Sequence, residues 1–329
     1  MSIQTGLDYI RSRSIVDCDT MDEQVAKTLG PFADCTSNQA IAYGELSKPK
    51  HASLLQASLS TAQSLTNEYP GLTVQELAIE IAMISLSLKI APHITGYIHI
   101  QTNPYYSYST EKTIANALRI ISLTHHLNPT HPQSRICIKI PSTWEGLQAC
   151  KILEQAGVRT LATTLFTFTQ AVLAAEVGCT YVAPYVNQLK VHFEPGFTDP
   201  SPLLPLCALI QKYYAETGTK TQVLPASLTS VNEIYQLAGV QHITIAPGLL
   251  EELGKELGGK GTGVESLINI LPAAALPEKE KPSFIDDEAG YRLAFRRDAR
   301  GESAGKLTQA VNIFCDMQDK LVQLFKGLV

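Results

Sequence analysis

The chain has 329 residues, of which 45% are hydrophobic and 17% are charged, and 31 acidic residues outnumber 26 lysines and arginines. The formal net charge of −5 leaves no basic field of the kind that binds nucleic acid or an anionic membrane. No apolar run reaches the roughly 18 residues of a membrane span, and the N-terminus lacks the pattern of a secretory signal, so neither is expected.

Short β-rich segments alternate with amphipathic stretches along the chain. The segments predict eight strands: Ile15–Asp19, Ala33–Ser37, Tyr97–Thr102, Ile136–Ile140, Thr160–Leu165, Tyr181–Val186, Gln222–Ala226 and His242–Ala246. Eight strands that alternate with helices favour an α/β fold, the (β/α)8 or TIM barrel. A doubly wound open sheet is the alternative.

One predicted helix follows the fourth strand directly. Thr143 is a suitable N-cap, and the segment after it presents Leu147, Cys150 and Leu153 on one face before Gly157. Glycine commonly ends helices because it adopts a left-handed conformation without strain. A helix is therefore predicted between Thr143 and Gly157.

The remaining segments complete a single predicted barrel domain that spans residues 1–329. Residues 39–92 are predicted to hold two or three helices, and another helix is predicted over 169–177. Residues 271–304 are rich in proline and charge, so an irregular segment is expected there. An amphipathic C-terminal helix over 305–329 is predicted to pack back on the barrel.

The seven cysteines are widely spaced, and no Cys-x-x-Cys pair occurs. An odd number at wide spacing is typical of reduced, buried thiols, which indicates a cytoplasmic protein. The histidines do not cluster with cysteines or carboxylates at ligand spacing, so no metal site is expected.

A lysine, Lys139, lies within the β-branched run of the fourth strand. Lysine is depleted in strands, and a strand buried on both faces leaves an ammonium group to find a partner or lose its proton. A neutral, desolvated lysine is a nucleophile toward carbonyls and forms Schiff bases. The alternative is an edge-strand lysine whose stem covers apolar surface while its ammonium group reaches water.

In a barrel, alternate strand residues point inward, and chemistry gathers at the carboxyl ends of the strands. This parity predicts one inward set: Asp17, Asp19, His99, Gln101, Asn103, Lys139, Leu161, Thr163, Leu165, Tyr181, Ala183 and Tyr185. Imine chemistry needs an amine, a proton shuttle and a positioned water, which such a set would supply. Alternatively, the aspartates cap a turn while Gln101 and Thr163 only satisfy buried polar groups.

Three segments and the final helix resemble the transaldolase family: residues 136–149, 163–171 and 243–250 carry the similarity most clearly. The resemblance covers essentially the whole chain, at the length of the long, usually dimeric members. It implies a (β/α)8 barrel, a class I Schiff-base enzyme without metal or cofactor, small-molecule ketose and aldehyde substrates, and a homodimer.

The resemblance also implies roles for four residues. Lys139 would attack the C2 carbonyl of a ketose and form the imine, an electron sink that lets the C3–C4 bond break. Asp19 matches the carboxylate that handles the proton of the C4 hydroxyl. Asn38 matches the asparagine that binds the dihydroxyacetone moiety, and Thr163 matches the threonine that helps hold the catalytic water.

Two departures resemble the fructose-6-phosphate aldolase branch of this family. Gln101 stands where most transaldolases have a glutamate, and Tyr185 stands where they have a phenylalanine. In that branch the glutamine and tyrosine share the catalytic water, which favours release of free dihydroxyacetone over its transfer. A tyrosine hydroxyl donates and accepts hydrogen bonds, whereas Gln101 orients water without ionising.

Other departures concern the phosphate of the substrate. Gln188 and Thr229 stand where the family has basic residues, and losing contacts to a dianion costs about 1.5–3 kcal/mol per charged hydrogen bond. Lys190 and His192 would compensate as point charges, or they form a solvated surface pair. Ser227 is retained and would bind a phosphate or a hydroxyl.

The dihydroxyacetone pocket is expected to be more apolar than usual. Leu161 replaces an asparagine and Ala183 replaces a serine of many transaldolases, which changes the substrate hydroxyls that the pocket satisfies. Asp17 is an extra inward carboxylate below Asp19. Since two close carboxylates raise one pKa, we hypothesise that Asp17 tunes Asp19.

The sequence therefore predicts a transaldolase or dihydroxyacetone aldolase that also uses substrates without a phosphate. One alternative is an ordinary pentose-phosphate transaldolase for sedoheptulose 7-phosphate and glyceraldehyde 3-phosphate, with phosphate held by Ser227, Lys190 and backbone amides. Another is a Schiff-base enzyme recruited to secondary metabolism. A non-catalytic scaffold is the third. Four retained residues argue against it: Lys139, Asp19, Asn38 and Thr163.

Overall fold

The computed structural model describes residues 4–257, 262–270 and 282–328. Within them lie eight strands: β1 Ile15–Asp19, β2 Cys35–Thr36, β3 Ile98–Gln101, β4 Ile136–Pro141, β5 Arg159–Leu165, β6 Tyr181–Pro184, β7 Gln222–Val223 and β8 His242–Ile245. Each predicted strand is confirmed, although β2, β3, β6, β7 and β8 are shorter than expected.

The strands form a nearly closed parallel barrel. They follow one another in chain order from β1 to β7, and β8 returns to pair with β1. The backbone N–H of Thr244 donates to the carbonyl of Pro225 at 3.3 Å, which draws β8 toward the seventh strand. The order contains no reversal, so the predicted (β/α)8 barrel is confirmed and the doubly wound sheet was wrong.

Helices surround the barrel. The described residues form α1 Gly6–Arg11, α2 Glu23–Leu29, α3 Gln39–Leu46, α4 Ala52–Leu65, α5 Val74–Ile90, α6 Thr110–Leu127, α7 Trp144–Gln155, α8 Phe168–Glu176, α9 Leu204–Thr217, α10 Val231–Gln236, α11 Pro247–Leu253, α12 Leu267–Ile270, α13 Glu288–Arg297 and α14 Glu302–Lys326. None of them is long and apolar enough to cross a membrane.

Helix α7 fixes the exit of the strand that carries Lys139. The Thr143 hydroxyl accepts a hydrogen bond from the backbone N–H of Gly146 at 2.8 Å, which caps the helix as predicted. A Cβ at Gly146 would collide with the carbonyl of Pro141, so glycine lets the helix start close to the end of β4. Gly157, with a φ of +79°, follows the helix end.

The expectation of an irregular segment over 271–304 was wrong for its second half. Residues 271–281 lie outside the described residues, but α13 and the start of α14 fall inside this range. The charges there form a helical i,i+4 pair, because Arg292 Nε lies 2.7 Å from Glu288 Oε1. Tyr291 and Phe295, also four residues apart, stack on each other and form the apolar stripe of this helix.

The C-terminal helix α14 packs against α3 and α5, and against the turns that follow β3 and β6. Its residues Leu307, Val311 and Phe314 join a buried apolar cluster that also contains Phe166 and Tyr185. The predicted packing of this helix on the barrel is confirmed. It brings α14 against the part of the barrel from which Tyr185 projects.

A layer of paired charges fills the barrel interior below its mouth. Asp17 Oδ2 lies 2.8 Å from His242 Nδ1, and Asp17 Oδ1 accepts the backbone N–H of Asp34 at 2.8 Å. Asp34 Oδ2 lies 2.9 Å from His99 Nε2, and Oδ1 accepts the N–H of Tyr97. Asp17, Asp34 and His242 come close enough to hold a cation, but the carboxylate oxygens and His242 Nδ1 already take part in these hydrogen bonds.

Burial and pairing shift the pKa values of this layer. Burial raises the pKa of Asp17 to about 6, despite the hydrogen bond to His242. Burial alone would lower the pKa of His242, but the contact with Asp17 raises it above its ordinary value. The folded protein therefore binds more protons at this pair than the unfolded chain does, from about pH 4 to above pH 6.5.

We predict that the stabilising effect of Asp17 decreases as pH rises. Both pKa values are raised in the folded state, so their contribution is complete at low pH and is lost as pH rises through the folded-state values. The free energy of unfolding of the wild type, minus that of Asp17→Asn, should fall by about 1–2 kcal/mol between about pH 5 and about pH 8. Chemical denaturation at a series of pH values measures it.

The matched control is Asp286→Asn, because Asp286 is an exposed carboxylate of the loop before α13. Its difference from the wild type should stay constant over the same pH range. A difference for Asp17→Asn that is constant or grows with pH would contradict the pairing described above.

Candidate active site

Lys139 lies inside the barrel, not at a sheet edge. Strand β4 is flanked by β3 and β5, and Lys139 stands in register with Gln101 on one side and Leu161 on the other. Its side chain is buried, and Nζ donates to the carbonyl of Ser37 at 3.2 Å. The edge-strand alternative was therefore wrong, because the amine is enclosed by the neighbouring strands.

Asp19, at the carboxyl end of β1, has a half-buried carboxylate. The hydroxyl of Thr36 donates to Asp19 Oδ1 at 2.6 Å, and the hydroxyls of Thr36 and Thr244 lie 2.6 Å apart. Three neighbouring strands, β1, β2 and β8, thus hold one carboxylate in a fixed orientation. The sequence reasoning missed both threonines, although Thr244 lies in a segment that carries the family resemblance.

Asn38 is the N-cap of α3. Its Oδ1 accepts the backbone N–H groups of Ala40 and Ile41 at 2.9 and 3.0 Å. Because the cap uses the carbonyl oxygen, the amide NH2 group is what Asn38 offers to a ligand. Asn38 directly follows Ser37, the residue that binds Lys139, and this places the two candidate side chains at one end of the barrel.

A bulge in β5 brings a hydroxyl and a phenol together. The pairing of β5 with β6 shifts register between Ala162 and Leu165, and Thr164 has a φ of +52°. Thr163 Oγ1 donates to the Tyr185 hydroxyl at 3.4 Å. The extra residue moves Leu165 to the layer between strands and outer helices, so its predicted inward position was wrong.

Gln101 is oriented by a partner that the sequence did not reveal. Its Nε2 donates to Gln39 Oε1 at 2.9 Å, and Gln39 in turn donates to the carbonyl of Thr102 at 3.0 Å. Among the described residues, no group lies within hydrogen-bond distance of the buried Gln101 Oε1. An unpaired buried acceptor is costly unless water or a ligand completes its hydrogen bonding.

Asn103 was predicted inward, but strand β3 ends at Gln101 and Asn103 caps the turn after it. Its Oδ1 accepts the backbone N–H of Tyr105 at 3.1 Å. Strand parity no longer applies beyond the strand end. Asn103 therefore does not belong to the inward set of residues, and its predicted inward position was wrong.

Leu161 and Ala183 are completely buried in the barrel interior, in the apolar cluster that includes Tyr181 and Tyr185. Leu161 stands in register between Lys139 and Tyr181. The two residues supply no polar group beside the amine. Neither residue lines the cavity that opens at the carboxyl ends of the strands, so their role in a substrate pocket stays a prediction.

A cavity of about 450 Å³ opens at the carboxyl ends of the strands. Asp19, Asn38 and Tyr185 line one part of it. Lys139 and Thr163 are outside this lining. Thr163 is hydrogen-bonded to Tyr185, which lines the cavity, and Lys139 is hydrogen-bonded to Ser37, which directly precedes Asn38. The cavity therefore adjoins the buried amine.

The residues that stand at or near the family's phosphate-binding positions, Gln188, Thr229 and Lys190, do not line this cavity. The Gln188 side chain accepts a hydrogen bond from Gln309 of α14 at 3.1 Å, and the Thr229 hydroxyl donates to Glu233 at 3.2 Å. Lys190 Nζ lies 4.0 Å from the ring centroid of Phe197.

Ser227 and His192, in contrast, line the cavity together. Ser227 Oγ lies 2.9 Å from His192 Nε2, and the serine backbone has a φ of +59°. This backbone conformation is strained for a serine, and strained residues concentrate at functional sites. Desolvation lowers the pKa of the His192 ring from its ordinary value.

Comparison with known proteins identifies the family. The family described as Transaldolase/Fructose-6-phosphate aldolase matches residues 14–317. A transaldolase of Cellvibrio japonicus is 29% identical over 327 residues, covering 98% of each chain. A transaldolase of Schizosaccharomyces pombe is 31% identical over 320 residues, covering 95% of each, and one of Alteromonas mediterranea is 31% identical over 323 residues, covering 96% of each.

The match extends from β1 into α14 and therefore includes every strand of the barrel. The order of the strands and the enclosed lysine on β4 agree with the sequence resemblance. On these grounds the chain belongs to the transaldolase/fructose-6-phosphate aldolase family.

Proposed function

We propose that this protein makes or breaks a carbon–carbon bond through a Schiff base between Lys139 and a ketose of the dihydroxyacetone type. One observation carries the proposal: the amine is enclosed in the barrel, bonded to Ser37, beside the cavity that Asp19 and Asn38 line. Membership of the transaldolase family supports an enzyme of the class I, Schiff-base type.

The residues divide the reaction between them. The Lys139 amine attacks C2 of the ketose, and the carbinolamine loses water to give the imine. Asp19 takes the proton of the C4 hydroxyl while the C3–C4 bond breaks, and the bond electrons pass into the imine to give an enamine. The aldehyde fragment leaves, and the Asn38 amide donates to a hydroxyl of the three-carbon fragment that stays.

The enamine then has two fates. It adds to a second aldehyde, which is transfer, or it takes up a proton at C3 and the imine is hydrolysed, which releases dihydroxyacetone. We infer that Tyr185, Thr163 and the unpaired oxygen of Gln101 hold the water for hydrolysis. Leu161 and Ala183 form the apolar floor under the three-carbon fragment.

The surroundings of the cavity support substrates without a phosphate. Gln188 and Thr229 are bonded to other side chains, and a contact from either to a substrate would require those bonds to open. An ordinary sugar-phosphate transaldolase remains the alternative, with Ser227 as the phosphate ligand. The position of Lys190 on Phe197, away from the cavity lining, weighs against it.

We further propose that residues 1–329 form one domain and that the enzyme is a cytoplasmic homodimer. The seven cysteines are free thiols, which supports a reducing compartment. Light scattering coupled to size-exclusion chromatography gives the subunit number directly.

The central proposal is tested by borohydride trapping with fructose 6-phosphate, fructose and dihydroxyacetone. We expect a reduced adduct on the peptide that contains Lys139, located by peptide mass spectrometry, because the reduced imine is a stable secondary amine. Lys139→Met, which keeps the side-chain length without the amine, should form no adduct. Absence of an adduct with every ketone, or an adduct at another lysine, would overturn the proposal.

Replacing Tyr185 with phenylalanine tests whether its hydroxyl holds the water that hydrolyses the imine. The variant lacks one hydrogen bond to the hydrolytic water, worth about 1–1.5 kcal/mol, so release of free dihydroxyacetone should slow by about 5–10-fold relative to transfer. The ratio is measured by following both products with one donor and one aldehyde acceptor.

Tyr181→Phe is the matched control, because Tyr181 lies in the barrel interior near His99 and His242 instead of contacting Thr163. It should leave the ratio of release to transfer unchanged. The same ratio in the wild type and in Tyr185→Phe would exclude the proposed role of the phenol.

A further inference from the structure

The cavity changes character away from Asp19 and Asn38. Beyond these polar residues its wall consists mainly of apolar side chains: Met21, Ile41, Leu189, Phe193 and Pro247. Phe193 is 37% exposed, and a large apolar side chain at this exposure gains free energy when a ligand covers it. This wall belongs to the same cavity that Asp19 and Asn38 line.

The two basic side chains of the described lining, Lys48 and His192, already have hydrogen-bonding or ionic partners. Lys48 Nζ lies 2.6 Å from Glu45 Oε2 and 3.5 Å from Asp22 Oδ2. His192 Nε2 lies 2.9 Å from Ser227 Oγ. Among the described residues that line the cavity, no arginine is present, and a phosphate dianion would have to displace an existing partner of Lys48 or His192.

The size of the cavity exceeds the need of a three-carbon aldehyde. A volume of about 450 Å³ falls within the range of about 300–1,000 Å³ that proteins use for drug-sized, mostly apolar ligands. Polar groups at one end and apolar walls at the other match a molecule with a carbonyl at one end and an apolar group at the other.

We propose that the aldehyde partner carries an uncharged, apolar substituent of about the size of a benzyl group, which packs on Phe193, Ile41 and Leu189. This inference rests on the proposed function. In the addition direction, C3 of the enamine on Lys139 forms a bond to the aldehyde carbon, and the aldehyde oxygen takes its proton from Asp19. Water then hydrolyses the imine and releases the hydroxyketone.

The test compares three aldehydes as acceptors of dihydroxyacetone: phenylacetaldehyde, glyceraldehyde and glyceraldehyde 3-phosphate. The wild type should use phenylacetaldehyde with a kcat/KM at least tenfold above that for glyceraldehyde 3-phosphate. Phe193→Ala should lower kcat/KM for phenylacetaldehyde by about tenfold, mainly through KM, because it removes ground-state packing. The loss for glyceraldehyde should be at least fivefold smaller.

Phe197→Ala is the matched control. Phe197 lies in the same loop, but it contacts Lys190 and is absent from the cavity lining. This variant should keep the wild-type preference among the three aldehydes. An equal loss of phenylacetaldehyde activity in both variants would contradict the proposal that the substituent packs on Phe193.

Borohydride trapping of dihydroxyacetone on the same preparation separates the two proposals. If no adduct forms at Lys139, the proposed function fails and this inference fails with it. If the adduct forms but glyceraldehyde 3-phosphate is used as well as or better than phenylacetaldehyde, the Schiff-base function stands and the apolar specificity is overturned.

Discussion

The site depends on one constraint, the enclosure of an amine among parallel strands. The register of β3, β4 and β5 places Lys139 between Gln101 and Leu161, and its Nζ reaches the carbonyl of Ser37. Position in the barrel, more than any single contact, determines what surrounds this nitrogen. Because the carboxyl ends of the strands meet at the barrel mouth, Asp19 at the end of β1 lines the cavity that adjoins this amine.

Two layers of polar groups inside the barrel differ in how their carboxylates are held, although His99 Nδ1 in the lower layer is also without a partner among the described residues. Below the mouth, Asp17 and Asp34 each combine a histidine contact with a backbone N–H. At the mouth, Gln101 keeps an unpaired oxygen and Asp19 stays half-buried. Stability favours complete pairing, whereas a reaction needs groups left available to substrate and water. The lower layer therefore supports the fold, while the upper layer retains the capacity for chemistry.

Much of this arrangement followed from the sequence, because strand period and helix caps are local signals. Parity placed Lys139 inside correctly, but it failed at Leu165, where the bulge inserts a residue that no pattern announces. Helix α13 was not predicted, because a segment rich in charge and proline is typical of a loop. In the structure, Glu288 and Arg292 pair at i,i+4 spacing on the helix surface. Gln39, the partner of Gln101, lies 62 residues away in the chain, and such contacts are set only by the folded barrel.

The account is tested most directly by a crystal structure of the protein soaked with dihydroxyacetone. It predicts continuous electron density from Lys139 Nζ to C2 of the ligand, with one ligand hydroxyl within hydrogen-bond distance of the Asn38 amide. Ligand bound without a covalent link to Lys139, or attached at another lysine, would contradict it.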